Sequence, residues 1–338
     1  MANPFSLTDA ADLIDASIQN IWLKGSEAES RLFEQYYNVE KGVDDFYLKD
    51  SSISGLGYAS RVVENAQIVA QAPVQGFDKV YTQVQFGKIL AFSTYMWKFG
   101  IKKRDLEGIT SELRKACSDL RELRCADRLD NGWSTSYNAS DDAGNYAVST
   151  VGGDGVSLIS TSHTREDGGT AWNNQVTDGS TVNMDFEYDA LKAAHRTASL
   201  ILNPRGKPMN INLDTLVCFR GGAVDNRATE ILGALNRGRI PGSNDNDGGT
   251  ARPDGSIASY KILRLPWITT NTSYWFMFDS TLKSNKYGLQ YKESMPITLE
   301  GPNVVFKTGE IQYKASLMFD LGHNDSRILV GSKNTNAS

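Results

Sequence analysis

Cysteine, histidine and proline are scarce here: three, three and nine in 338 residues. Three cysteines cannot build a disulfide framework, and Cys117 and Cys125, read onto one helix, stand about 12 Å apart, beyond bridging reach. Packed, reduced thiols are expected. Any histidine-dependent metal site or triad must draw on His163, His195 and His323. No run approaches the ~18 apolar residues of a membrane-crossing helix, and no basic flank followed by an apolar core opens the chain, which argues against a helical span and a secretory signal. An excess of base is missing too. Lys and Arg number 35 against 40 Asp and Glu, net −5, which argues against sequence-specific DNA recognition. The imbalance is local: residues 1–40 hold two basic and seven acidic side chains, and the rest of the chain is neutral.

With 40% hydrophobic, 10% aromatic and 22% charged residues, the composition is that of a folded protein with a substantial core. Ala10, Leu13, Ile14, Ser17, Ile18, Ile21 and Trp22 recur at helical spacing, predicting an amphipathic helix that Gly25 ends. Ser26 and Glu29 form a capping box leading into a short helix through Leu32, Phe33 and Tyr36. Two short helices on an arm cannot cover their own apolar stripes, so a partner surface is expected. Residues 51–75 favour neither period. Val80, Thr82, Val84 and Phe86 alternate with polar residues, and 89–97 continue as an aromatic, β-rich run, predicting an extended two-stranded ribbon over 80–97.

The strongest helical pattern covers 104–129, where Ile109, Leu113, Ala116, Leu120 and Leu123 make one narrow stripe and charges cover the remaining surface, predicting water or polar partners over most of the circumference. Residues 98–128 hold nine basic and six acidic side chains. Turn-rich sequence follows over 131–155, then a short strand at 156–162 and a polar loop. A helix is read over 186–201, a strand at 215–219, a helix at 226–235, and loop chemistry at 239–255. Strands close the chain at 260–265, 274–279, 289–291, 304–307, 311–319 and 327–330. The fold class is α+β.

Catalytic constellations do not emerge. Ser160 and Ser162 shortly precede His163, but adjacent residues on a strand point to opposite faces, and structural hydrogen bonding explains them better than a nucleophile–base pair. His195 lies on a helix without a second ligand at metal spacing, and His323 sits in a turn where exposure is expected. Asp245-Asn246-Asp247-Gly248-Gly249 opens like a calcium loop, yet its twelfth position is Ser256, not Glu. Gly55-Leu56-Gly57 lacks the third glycine of a dinucleotide fingerprint. No cofactor, metal or catalytic residue is assigned.

The order of parts is an amphipathic arm, a β ribbon, a long charged helix, and an α+β domain whose last strand returns near the C-terminus. Motifs occur along it in order: Glu64-Asn65-Ala66, Phe99-Gly100-Ile101-Lys102, the run Asp154-Gly155-Val156-Ser157-Leu158-Ile159-Ser160-Thr161-Ser162-His163, Gly168-Gly169-Thr170 and Asn173-Asn174. Gly206-Lys207-Pro208, Asp214-Thr215-Leu216-Val217, the helix 228–232, Trp275-Phe276 and Asp325-Ser326-Arg327 complete the set. In this order the chain resembles the major capsid proteins of tailed bacteriophages, the HK97-like fold, over nearly its whole length.

That resemblance implies an N-arm (1–44), an E-loop (45–95), a P-domain with its spine helix (96–186), an A-domain (187–310) and C-terminal strands returning to the P-domain (311–338). It implies a non-enzymatic subunit of an icosahedral shell, assembled in the bacterial host cytoplasm into hexamers and pentamers around double-stranded DNA held without sequence preference. A portal protein and separate scaffolding or cement proteins would be partners; no membrane would be. Subunit contacts are expected at Leu13, Ile14, Ile18 and Trp22 of the arm and at Val80, Val84, Phe86 and Phe92 of the ribbon. The loop carrying Arg239, Pro241, Asn244, Asp247 and Pro253 is expected at the capsomer axes; for the spine helix two readings stand side by side, that it lines the shell and faces DNA, or that its charges simply solvate an exposed face. Two alternatives stay open: an encapsulin-like nanocompartment shell, and a hydrolase using Ser160 or Ser162 with His163.

Overall fold

A computed structural model describes residues 18–25, 31–54, 58–59, 61–62, 64, 67–68, 70, 72–93, 95, 103–236, 260–285 and 287–334. The capping box at Ser26 and Glu29 lies outside them. Helix α1 occupies residues 18–25, and α2 (Phe33–Tyr36) leads into strand β1 (Asn38–Lys41). The long helix is α3 (Lys103–Asp130), followed by a hairpin, β5 (Ser136–Asp141) with β6 (Gly144–Ser149), inside the segment read as turns. Residues 156–162, read as a strand, form no strand; their backbone is held by Asn174, which accepts from the Ser160 amide and donates to the Leu158 carbonyl, both at 2.9 Å.

Two four-stranded sheets carry the fold. One has the order β1-β10-β11-β4, with β4 at Val84–Phe92, β10 at Leu289–Val304 and β11 at Ile311–His323. Strand β10 was legible only at its ends, because its register shifts between Glu293 and Met295, Met295 and Thr298, and Glu300 and Asn303. Each irregularity resets which face a side chain takes, which erases the period of two, and Pro296 and Pro302 fall at two of these breaks.

The other sheet, β12-β9-β7-β8, unites β7 (Thr215–Phe219), β8 (Lys261–Leu265), β9 (Trp275–Phe278) and β12 (Leu329–Ser332). Both of its faces are buried. Leu216, Cys218, Trp275, Met277 and Val330 pack under α4 (Tyr188–Leu200) and α5 (Ala223–Asn236). Val217, Leu263, Phe276 and Phe278 join the larger core beneath α3. Alternate side chains of one strand serve two apolar layers, so β7 reads as an unbroken apolar run.

Helix α3 differs from its expected role. Arg114, Arg121, Glu122, Arg124, Arg128 and Asp130 are all buried beside Leu113, Cys117, Cys125, Ala126 and Leu129, whereas Leu120 and Leu123 of the expected stripe are only half-buried. The charges serve as internal clamps. Glu122 accepts the amides of Leu32 and Phe33 at 2.8 and 3.1 Å, and Arg124 donates to the Ser140 carbonyl at 2.7 Å. Asp130 accepts the amides of Thr270 and Asn271 at 3.1 and 2.7 Å, tying the β8–β9 connection to the helix end. The polar part of the circumference thus divides between exposed side chains, Ser111, Glu112 and Lys115, and polar partners inside the subunit, where the four buried arginines are engaged.

Candidate assembly site

The ribbon is built from different strands than expected. Strand β3 (Val74–Thr82) pairs antiparallel with β2 (Tyr47–Ser54), while β4, read as the ribbon's second strand, pairs with β11 in the main sheet. The chain changes sheets at Gln83, whose amide donates to the Phe46 carbonyl at 3.1 Å. Strand β2 was not anticipated because its sequence, YLKDSSIS, alternates no hydrophobic face; Asp50 within it is buried.

Buried charge lies where the ribbon meets the body. Lys292 of β10 pairs with Glu40 of β1, stands 4.0 Å from Asp50 of β2, and lies 5.6 Å from the centre of the Tyr81 ring on β3. Tyr81 lies against Gly322, where a Cβ would meet the ring at 2.7 Å. Lys79 donates to the Val151 carbonyl at 2.7 Å, and the Asn324 side-chain amide to the Phe77 carbonyl at 3.2 Å. Asp320 accepts the Thr82 amide at 2.8 Å. Burial, with Arg128 nearby, lowers the Lys79 ammonium below its ordinary range, and burial raises the Asp320 carboxyl above its own. These groups span α3 and five strands, so no local spacing marks them; the pair Gly152-Gly153 against Asn324 is the nearest thing to a signal.

Phe46, Tyr47 and Val80 beside this root, and Tyr58, Val62 and Ile68 between β2 and β3 in the chain, are each at least half exposed. Phe46 and Tyr47 meet edge to face with ring centres 4.6 Å apart. So many exposed apolar side chains on and next to a two-stranded element point to a covering surface.

The expected contact residues divide. Val80 and Val84 are exposed, and Phe86 is half-buried with its ring 5.2 Å from that of Phe319. Ile18, Trp22 and Phe92 were expected against a neighbour, but the chain buries them itself. Trp22 lies under the Arg114 guanidinium at 4.8 Å, and Ile18 belongs to the main core, so the expectation that this core excludes the arm helix is corrected. Leu13 and Ile14, and the loop residues Arg239, Pro241, Asn244, Asp247 and Pro253, lie outside the described residues.

Around His163 the geometry is structural. Its Nδ1 lies 2.7 Å from Asp154 and its Nε2 3.1 Å from Asn174, so both ring nitrogens are engaged and neither faces Ser160 or Ser162. The ring stacks on Trp172 at 4.2 Å, and the other neighbour of Trp172 is the guanidinium of Arg327, itself bonded to Glu166 and Asp325. Motifs far apart in the sequence, 154–163, Asn173-Asn174 and Asp325-Ser326-Arg327, thus converge on one buried stack. His195 bonds the Tyr260 hydroxyl at 2.8 Å. His323, expected exposed, is buried. Among the described residues no three metal-ligating side chains cluster, and no helix is long and apolar enough to cross a membrane.

Taken together, a long helix between two sheets, a two-stranded ribbon and a C-terminal strand returning to the core make up the α+β architecture. Among solved structures, the chain superposes on "Capsid structure of the Cyanophage P-SCSP1u" with TM-score 0.52 at 12% identity, covering 91% of this chain and 89% of that one. A structure of Gordonia phage Cozz aligns with TM-score 0.49 at 14% identity over 91% and 87% of the two chains. One of Mycobacterium phage Patience aligns with TM-score 0.48 at 13% identity over 97% and 88%. No family model and no curated protein matches the sequence. The fold is the HK97-like one, an α+β capsid fold.

Proposed function

We propose that the chain is the structural subunit of an icosahedral phage head, assembling through hexamers and pentamers into a shell around double-stranded DNA. The observation that carries this reading is the ribbon: its root is fixed by buried charge, while Phe46, Tyr47 and Val80 beside the root and Val62 and Ile68 on the connection between its strands are left at least half exposed. A neighbouring copy supplies the missing cover, so subunits stabilise one another and assembly becomes cooperative. Val80 and Val84 would meet that neighbour, and the loop 239–255 would surround the capsomer axes. DNA would be held through solvent and counterions, since the buried arginines of α3 are engaged inside the subunit. The division into N-arm, E-loop, P-domain and A-domain, the portal and any scaffolding or cement proteins, and residence in the virion complete the proposal.

Negative-stain microscopy of the purified protein tests it: closed shells or hexagonal sheets are expected, and a uniformly monomeric protein at high concentration would sink the idea. Nuclease-protected duplex DNA in such shells separates a head from a nanocompartment, which would hold protein instead.

A further inference from the structure

The root of the ribbon also contains a histidine that no contact so far explains. His323 ends β11 with 2% of its surface exposed, and neither ring nitrogen has a hydrogen-bond partner among the described residues. The residue-152 backbone lies directly against the ring, since a Cβ on Gly152 would fall 2.8 Å from Nε2. Every packed element brings its charges into view. From α3 comes Arg128, which donates to the carbonyls of Ser149 and Leu321 at 2.7 and 2.5 Å. From β3 comes Lys79, and from the segment 150–163 come His163 and Asp154. Strand β11 itself adds Asp320, and β10 places the uncharged Leu289 opposite His323 in register.

Neither nearby carboxylate is free. Asp154 holds His163 with one oxygen and accepts the Val156 amide with the other at 3.1 Å. Asp320 accepts the amides of Thr82 and Leu321 at 2.8 and 2.7 Å. An imidazolium formed in place would face two fixed cations with its N–H groups unbonded. Burial, reinforced by Arg128 and Lys79, accordingly holds the ring neutral well below the ordinary histidine range.

We infer that His323 makes the root of the ribbon an acid-sensitive joint, in which the ring accepts a proton only after the segment 150–154 and β3 move off it. Opening breaks the Lys79–Val151 and Asn324–Phe77 bonds and the one from the Gly153 amide to the Asn324 carbonyl, while the β2–β3 ladder stays intact and moves as a unit. The joint lies within one chain and does not depend on the shell reading. In the opened state the ring has an ordinary pKa of about 6.5, and in the closed state it stays neutral. The open fraction is therefore flat above that pH and rises up to about tenfold per pH unit below it. Asp320 acts in the opposite sense, because its raised carboxyl favours the closed form in acid, so the histidine must be varied separately.

Hydrogen exchange of the full chain at pH 7.5 and 5.5, corrected for intrinsic exchange, tests the joint. Peptides covering 150–156, which carry the Gly153 amide, should lose about tenfold in protection at the lower pH, while those covering the β2–β3 ladder, β7 and β9 keep theirs. His323→Leu should abolish the difference. If that variant does not fold, ring-labelled wild-type protein gives the same answer by NMR: His323 should stay neutral in the closed form at pH 5.5. An ordinary titration near 6.5 with 150–156 still protected would overturn the inference, as would equal acid responses in the wild type and His323→Leu.

Discussion

The β12-β9-β7-β8 sheet and the root of the ribbon both pack away from water, yet one is sealed mainly by apolar side chains and the other by Lys79, Lys292, Asp50, Asp320 and Arg128. Apolar layers gain stability in proportion to area and tolerate small shifts. A network of buried charges holds only while each partner stays in place. The sheet therefore suits a fixed platform, and the root suits an attachment with two discrete states.

Truncating the platform should have the largest effect. Trp275→Ala removes a fully buried indole and its bond to the Met184 carbonyl, with an expected cost of about 3–5 kcal/mol in chemical denaturation. Retention of wild-type stability would mean the two layers are not joined through β9. Glu122→Leu comes next, because the amides of Leu32 and Phe33 lose their acceptor; about 2–4 kcal/mol is expected, with faster exchange at those amides. Asp130→Ala should cost about 1–3 kcal/mol and loosen the 269–271 segment, leaving β5–β6 protected.

Smallest of all should be Lys88→Ala, which removes an ion pair with Asp142 on the open surface; its melting temperature should match the wild type within error. A charge-linked effect within the ribbon sharpens the contrast with the root. Hydrogen bonds from Lys49 and Ser51 lower Asp78 to about 2, so its contribution is present above the ordinary carboxylate pKa and lost only as pH falls through about 2. Carboxyl NMR should find Asp78 ionised at pH 4, with the ribbon still paired to itself after its root has opened.

Much of the platform was legible. The strand at 215–219 has the expected limits, and the helices read at 186–201 and 226–235 are present as α4 and α5, because their stripes face a single apolar layer at regular spacing. The root was not legible. Asp50, Lys79 and Lys292 look like surface residues, and their burial exists only because β2, β3 and β10 meet. On α3 the sequence shows an apolar stripe, yet Leu120 and Leu123 are partly exposed while Glu122 is sealed beneath α2. Ser160 and Ser162 beside His163 were rightly read as structural; the partners of that histidine, Asp154 and Asn174, come from loops no period predicts.

Strand order in the main sheet bears on how the chain is made. Both β1 and β4 pair with strands from the last fifty residues, β1 with β10 from Asn38 to Gln290 and β4 with β11 from Phe92 to Ile311. At about 5–20 residues per second, β4 leaves the ribosome some tens of seconds before its ladder partner exists. The sheet that anchors the ribbon therefore closes only once β11 has emerged, and a chain without β11 cannot present its ribbon in the geometry a neighbour would recognise.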